Sequence, residues 1–509
     1  LTGFLRIFTV KVMSKVKRTY KKRKLHPLHK IIFCSILFIS FTVLLLSPWA
    51  DFNPDWLEPV VQKSTNGQLD LTLDAKQQKV TVGGKQTDSF VYNDKYIGNT
   101  WEVKGGDTIK VHLKNNLTQP TNLHFHGSHV SPKGNSDNVL LSIKPGENFE
   151  YEYHLPVNHP PGLYWYHPHF HPDVEDQVMG GMVGAIKVRG DVDELAGIKD
   201  VPERLMVLTT ADGNNPNTPT RYVNGLKNPT MYLRPGQTVR LEIVNASADD
   251  MYNLAIPGYM LHVFSRDGNT LDQVDSVASE HLAPGQRVQI LFTPKNYGMI
   301  PVKSLYDDQG FAKYVETTFM NIRVQGFPMI ATPLPEKLLP YEDLKNAKID
   351  NIRTLTFSEG GTNDNPTFLL DGKEVDMDRV DQVITLGTTE EWHLVNKSNE
   401  IHPFHIHINP FQVISVNGKP VDLHGYRDTV GIPAHGEVVM RTRYKDFDGK
   451  FVLHCHILFH EDHGMMQVVE IVKPDAKKTT DNGMPGREIT QKEMQMHMHH
   501  QMMEGPRKH

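Results

Sequence analysis

The stretch "RPGQTVRLEIVNAS", residues 234–247, holds a Pro-Gly turn, a run of alternating apolar and polar side chains, and an exit on Asn. Val239, Leu241 and Ile243 alternate with Arg240 and Glu242. A period of two predicts a half-buried β-strand. The same phrase occurs twice more, as "KGGDTIKVHLKNNL" at 104–117 and "TLGTTEEWHLVNKS" at 385–398. A second turn-and-strand element follows each copy: "KPGENFEYEYHL" at 144–155, "APGQRVQILFTP" at 283–294 and "PAHGEVVMRTRY" at 433–444. Gly236 and Gly285 are as far apart as Gly387 and Gly436. Three related Greek-key β-sandwiches, an all-β architecture, account for this repeat. Their expected bounds are 66–190, 200–328 and 350–474. Asn116, Asn245 and Asn396 recur at the strand exits, where turn geometry explains an Asn better than catalysis does.

At 509 residues the chain is long enough for three such domains. Its net charge of −5 conceals a division, because residues 1–30 hold Lys and Arg but no Asp or Glu. Residues 31–50, "IIFCSILFISFTVLLLSPWA", carry no charge. A basic flank before such a run predicts a membrane anchor or a signal segment, with the N-terminus in the cytoplasm and the bulk exported. Residues 1–50 therefore form the expected targeting region; the chain opens on Leu1, and Met13 is another possible initiator. The acidic remainder gives no reason to expect nucleic acid as a partner. Of two cysteines, Cys34 lies in the apolar run, which leaves Cys455 alone in the exported part. A single thiol cannot form an internal disulfide there, and outside the cell it needs burial or a metal to escape oxidation.

The repeat also aligns the histidines. "GLYWYHPH" at 162–169 matches "GKFVLHCH" at 449–456, and "LHFHG" at 123–127 matches "PFHIH" at 403–407, whereas the middle copy has "GMIPVKSL" at 298–305 and no His-x-His. The middle sandwich is thus expected to carry no metal ligands. Successive side chains on a strand point to opposite faces. Parity then sorts the candidates into two groups. Cys455, His402, His460 and Met465 give a thiolate, two imidazoles and a thioether, the ligand set of a blue-copper electron-transfer site. His124, His126, His167, His169, His405, His407, His454 and His456 give eight imidazoles, too many for one ion. A multinuclear copper site between the first and third sandwiches follows.

These motifs, "HFHG", "YHPH", "HPFHIH" and "HCHILFHEDHGMM", together with "DGKEVDMDRVD" at 371–381, resemble those of the three-domain bacterial multicopper oxidases of laccase and cuprous oxidase type. The resemblance extends over residues 66–474 and implies cupredoxin-like domains and four copper ions. By it, Cys455, His402, His460 and axial Met465 match the type 1 site, and His124 and His405 the type 2 site. His126, His167, His169, His407, His454 and His456 match the type 3 pair. Glu461 and Asp137 match acidic residues that supply or position protons. The implied reaction removes single electrons from phenols, aromatic amines or metal ions such as Cu(I) and reduces dioxygen to water. A non-catalytic binding or structural protein on the same scaffold, a copper storage or tolerance protein, and a copper nitrite reductase are the alternatives.

Two further expectations concern the periphery. His129, His154, His159, His171 and His463 lack a repeat partner or have the wrong parity, and are expected to be supporting, loop or packed residues. Residues 475–509 are polar and are expected to form a disordered tail. Five Met and three His between Met494 and Met503 give that tail ligands that select copper, Cu(I) above all.

Overall fold

Each copy of the repeat pairs in the same way. Thr108–Asn116 runs parallel to Gln68–Val82 and antiparallel to Asn148–His154. Val239–Asn245 stands likewise between Glu203–Ala211 and Arg287–Phe292. Thr389–Asn396 stands between Asn351–Thr362 and Glu437–Arg443. The computed structural model describes residues 56–504, apart from 212–216, 363–364, 423, 475–481 and 485–486. The basic N-terminus and the apolar run at 31–50 lie outside the described residues. No helix among the described residues is long and apolar enough to cross a membrane.

The repeat strands belong to sheets of four, seven and six strands, and each such sheet packs on a five-stranded partner. Leu71, Val111 and Tyr151 of the first pack against Trp101, Phe125 and Ile186. In the second, Leu208, Leu241 and Ile243 meet Val302 and Ile322. In the third, Leu355, Leu394 and Met440 meet Phe404, Leu453 and Val469. These are three cupredoxin-like β-sandwiches, and each closes over the inward set of its alternating strands.

The five-stranded sheets of the first and third sandwiches carry the His-x-His pairs. His124–His126 lies antiparallel to Gly162–His167, with His124 opposite His167. His402–Ile406 lies antiparallel to Gly449–Cys455, with His405 opposite His454 and Phe404 opposite Cys455. Two short helices flank them, α1 (Val174–Met179) and α2 (Leu458–Asp462).

Three sequence expectations need correction. Alternation in 239–245 implied one solvated face, yet all seven residues of that strand are buried. Its polar face meets the first sandwich: Lys187 pairs with Glu203 and Glu242, and Arg240 with Asp193 and Glu242. The recurring Asn of the first copy is Asn115, not Asn116. The Asn115 amide donates to the carbonyls of Gln119 and Ile143, as Asn245 does to Asp250 and Leu282 and Asn396 to Glu400 and Ile432. Its Oδ1 accepts from Leu117 N–H, whereas the exposed Asn116 bonds only the Asp74 carboxylate.

The third correction is at the C-terminus, where α3 (Gln491–Glu504) replaces the far end of the expected disordered tail. The run from Gln491 to Glu504 holds no Gly or Pro. Thr490 starts it, its hydroxyl accepting from Glu493 N–H as a helix cap does. Met494 is buried against Val139, Leu140, Phe170 and Met377. Low hydrophobicity suggested disorder, but one capped turn and one well-placed Met dock the segment.

The Asn pair gives a direct check. Asn115→Ala leaves two buried carbonyls and one amide without their partner and is expected to cost about 1–3 kcal/mol. Asn116→Ala is expected to change stability by less than about 0.5 kcal/mol. Urea unfolding of the two variants measures the difference; equal losses would return the repeat position to Asn116.

Candidate metal centre

Parity along Gly449–Cys455 and its continuation sends Cys455 one way and His454 and His456 the other. Cys455 Sγ lies 3.5 Å from His402 Nδ1 and 3.7 Å from His460 Nδ1, and those two nitrogens are 3.3 Å apart. Three donors so spaced converge on one point. The outward nitrogens are held: His402 Nε2 is 2.8 Å from Ser398 Oγ and 3.2 Å from Glu359, and His460 Nε2 is 3.5 Å from Glu400. Phe368 stacks on His460 at 4.0 Å. Met465 is fully buried in the same core as Cys455, and its carbonyl accepts from Cys455 N–H. Burial pushes the Cys455 thiol well above its ordinary range, so a metal ion must displace the proton to bind sulfur.

On the opposite face the eight imidazoles meet in overlapping groups. His126, His167 and His456 form one, His169, His407 and His454 another, and His124 and His405 join through His126. Each group mixes the first and third sandwiches. His169 Nε2 and His407 Nε2 stand 3.3 and 3.2 Å from His454 Nε2, and His126 Nδ1 stands 3.3 Å from His456 Nε2. Such separations suit nitrogens that share one ion at about 2 Å each.

Hydrogen bonds fix which nitrogen points inward. His124 Nδ1 donates to the Asp137 carboxylate, and His405, His167 and His454 donate from Nδ1 to the carbonyls of Asp428, Pro168 and Cys455. The far nitrogens of His124, His167 and His405 are then buried with no hydrogen-bond partner. Buried polar atoms normally find one. Burial first and neighbouring imidazoles second hold His124, His126, His169, His405 and His407 well below the usual histidine range, with His456 near 3. Burial likewise brings His167 to about 4. Neutral rings with free lone pairs are what a metal requires. The donor set fits copper.

Both acidic candidates are buried beside these rings. Asp137 accepts from His124 and from Phe125 N–H, and burial pushes its carboxyl up to about 8. Glu461 lies 3.0 Å from His454 Nδ1 and His171 Nε2 and 3.1 Å from His169 Nε2. Burial opposes its ionisation, but the imidazoles outweigh it and hold the carboxyl well below the usual range. His171 meets Asp462 at 2.7 Å and His169 Nδ1 at 3.2 Å. Burial lowers it, yet Asp462 and Glu461 raise it to about 9. It thus supports a ligand. His129 N–H donates to His159 Nε2, His154 is exposed, and His463 donates from Nδ1 to Phe459 O.

Sequence reasoning missed a support from the middle sandwich. Arg287 is buried and makes a bidentate pair with Asp428, at 2.8 and 2.7 Å. Asp428 Oδ1 in turn stands 3.3 Å from His126 Nε2, and its carbonyl holds His405. Two glycines make room. A Cβ on Gly127 would lie 2.2 Å from Arg287 Nη2, and one on Gly285 would lie 2.7 Å from a His456 ring carbon. Both residues have positive φ, which favours Gly in any case. No spacing rule joins Arg287 to a partner 141 residues away. The middle sandwich, through Arg287, therefore braces His126 and His405 of the other two.

Known proteins agree with this geometry. Three multicopper oxidase family models match residues 74–193, 165–301 and 344–475. The chain belongs to the multicopper oxidase family. It is 27% identical to the multicopper oxidase mco of Staphylococcus aureus over 442 residues, covering 82% of this chain and 92% of that protein. It is 26% identical to a Bacillus subtilis laccase, with 83% and 97% covered. The cell division protein FtsP of Escherichia coli is 29% identical, with 75% and 85% covered. Among solved structures, a multicopper oxidase from Campylobacter jejuni described as a metallo-oxidase superposes with a TM-score of 0.72 at 26% identity, covering 82% of this chain and 95% of its own.

Gly285→Ala separates the two groups. Its Cβ meets His456 and His126 but not Cys455, so copper is expected to be lost from the eight-imidazole group while the Cys455-centred absorption persists. Metal analysis alongside the visible spectrum reads both; full copper content would show that the turn yields.

Proposed function

We propose that this chain is a laccase-like oxidase that takes single electrons from phenols, aromatic amines or metal ions and passes them to dioxygen. The observation that carries the reading is the tripeptide His454-Cys455-His456 at the end of the strand Gly449–Cys455, whose two faces belong to two ligand groups with no residue between them. His402, Cys455, His460 and Met465 would hold a type 1 copper, and His124 and His405 a type 2 copper. His126, His167 and His456, with His169, His407 and His454, would hold a type 3 pair. When bound, these four ions supply one-electron oxidation of a reductant and four-electron reduction of dioxygen to water.

The chain itself contributes shape and protons. Burial of all eight imidazoles excludes bulk water from the inner group. Asp137 holds a proton next to His124, and Glu461 stands between His454 and His171, so each is placed to move protons toward the ring of imidazoles. Reductants meet the Cys455 group at His460, which the Glu400 carboxyl borders, with Glu359 beside the neighbouring His402. That border favours cationic donors over anionic ones.

A binding, structural or copper-storage role on the same scaffold is less well supported, because every expected ligand residue is present and Cys455 and the ten imidazoles are grouped for metal. The basic and apolar sequence of residues 1–50 supports an extracytoplasmic site, either anchored or secreted. Membrane fractionation of the full chain tests this.

Cys455→Ser is expected to abolish both the intense blue absorption and oxygen uptake, since the thiolate–copper bond produces the colour. A colourless variant with most of its turnover would refute the assignment. His167→Ala is expected to leave a blue centre that substrate still reduces, while oxygen uptake stops. Glu461→Gln is expected to retain the copper complement and to lose at least tenfold in turnover, most severely at higher pH where protons are scarce. Unchanged turnover from acid to alkaline pH would make Glu461 a packing residue.

A further inference from the structure

Asn482, which follows the third sandwich in sequence, is 2% exposed and ties together segments of two different sandwiches. Its Oδ1 accepts from Lys450 N–H at 2.7 Å, and its amide donates to Lys450 O at 2.7 Å and to Pro132 O at 2.9 Å. Its backbone carbonyl accepts from Gly134 N–H at 2.8 Å. An amide offers a donor and an acceptor side by side, so it pairs both backbone groups of Lys450 as a neighbouring strand would. Lys450 is the second residue of the strand Gly449–Cys455, which runs on to the His454-Cys455-His456 tripeptide. Pro132 and Gly134 belong to the loop that carries Asp137. The crossing is close. A Cβ on Gly449, whose φ is positive, would lie 2.8 Å from the Lys133 side chain and 3.2 Å from Asn482 Oδ1.

We propose that Asn482 is a positioning residue, which sets the loop Ser131–Asn138 against the strand Gly449–Cys455 and so holds Asp137 on His124. The proposal rests on the oxidase reading above. Asn482 is itself fixed: its N–H donates to Glu488 at 2.8 Å, while Ser142 N–H donates to Arg487 O and Ile489 N–H to Leu140 O. The path from Asn482 to the imidazoles is short. Asp137 N–H donates to Ser131 O, beside Pro132, and Ser136 N–H donates to Lys133 O, so a shift of Pro132 or Gly134 moves the Asp137 backbone. The Asp137 carboxylate accepts from Phe125 N–H and from His124 Nδ1, and thereby orients the ring whose other nitrogen faces inward. Past Asp137, the Asn122 amide donates to Val139 O and Leu141 O, and its oxygen accepts from His169 N–H. That tie stays within the first sandwich, whereas Asn482 reaches the third, which supplies the other imidazoles. A cage drawn from two sandwiches is only as well formed as the register between them.

The test compares the copper-loaded full chain with its Asn482→Ala variant by copper content, visible absorption and the electron paramagnetic resonance of type 2 copper, which His124 and His405 would hold. Asn482→Ala is expected to keep the blue absorption, to shift or lose the type 2 signal, and to lose about tenfold in kcat with the KM for a phenol unchanged. Asn135→Ala removes a bond from the same loop to Glu150 O inside the first sandwich, and is expected to match the parent in spectrum and kcat. Asn482→Asp keeps the shape and the acceptor for Lys450 N–H but loses the donors. It is expected to move the type 2 signal as Asn482→Ala does, and carries the test should the alanine variant misfold. A type 2 signal and kcat equal to the parent's, whatever the loss in Tm, overturn the proposal and leave Asn482 a fastening for the C-terminus alone. A change confined to the blue absorption also overturns it, since the effect would then run along the strand and not through the loop. Failure of the oxidase reading is visible separately, as a parent with neither blue absorption nor a type 2 signal.

Discussion

The two faces of one extended strand govern this molecule. An extended backbone directs neighbouring side chains apart, so His454-Cys455-His456 cannot place its three donors on one ion. Each face must instead be completed by its own surroundings. The thiol face meets His402 and His460 within the third sandwich. The imidazole face needs His126, His167 and His169, which only the first sandwich supplies. The contact between the first and third sandwiches is therefore a chemical requirement of a single tripeptide, and it explains why the His-x-His pairs recur in those two copies of the repeat.

The middle sandwich has a different part. A group of neutral rings in a dry interior has little to hold it in place unless their outer nitrogens are tethered. Arg287 reaches across and neutralises Asp428, and Asp428 then faces His126 and His405. Removing either charge would strip the other of its bidentate partner in a buried place, which is a costly change for a fold. Gly127 and Gly285 are small for the same reason, since any side chain there would occupy the space of the clamp or of a ring.

How much could be seen beforehand follows from range. Turn glycines, strand alternation and His-x-His spacing are local patterns, and they outline three sandwiches and two ligand groups. What escaped was long-range. Val239–Asn245 alternates like a surface strand, yet its polar face is buried because Lys187 and Glu203 lie over Arg240 and Glu242. Asn115 and Asn116 are adjacent and identical in type, and only the carbonyls of Gln119 and Ile143 distinguish them. The helix at Gln491–Glu504 has a composition that suits solvent, and the apolar contacts that seat it come from the loop around Leu140.

The mixed origin of the imidazoles constrains the order of events during synthesis. His124 leaves the ribosome 330 residues or so before its last neighbours, and His126 must wait for His456 across a sequence separation of 330. A nascent chain therefore displays half-sets of ligands long before any complete one exists, and half-sets are indiscriminate chelators. Only after the third sandwich has closed on the first are the mixed imidazole groups complete. A complete set of donors therefore exists only in the finished polypeptide.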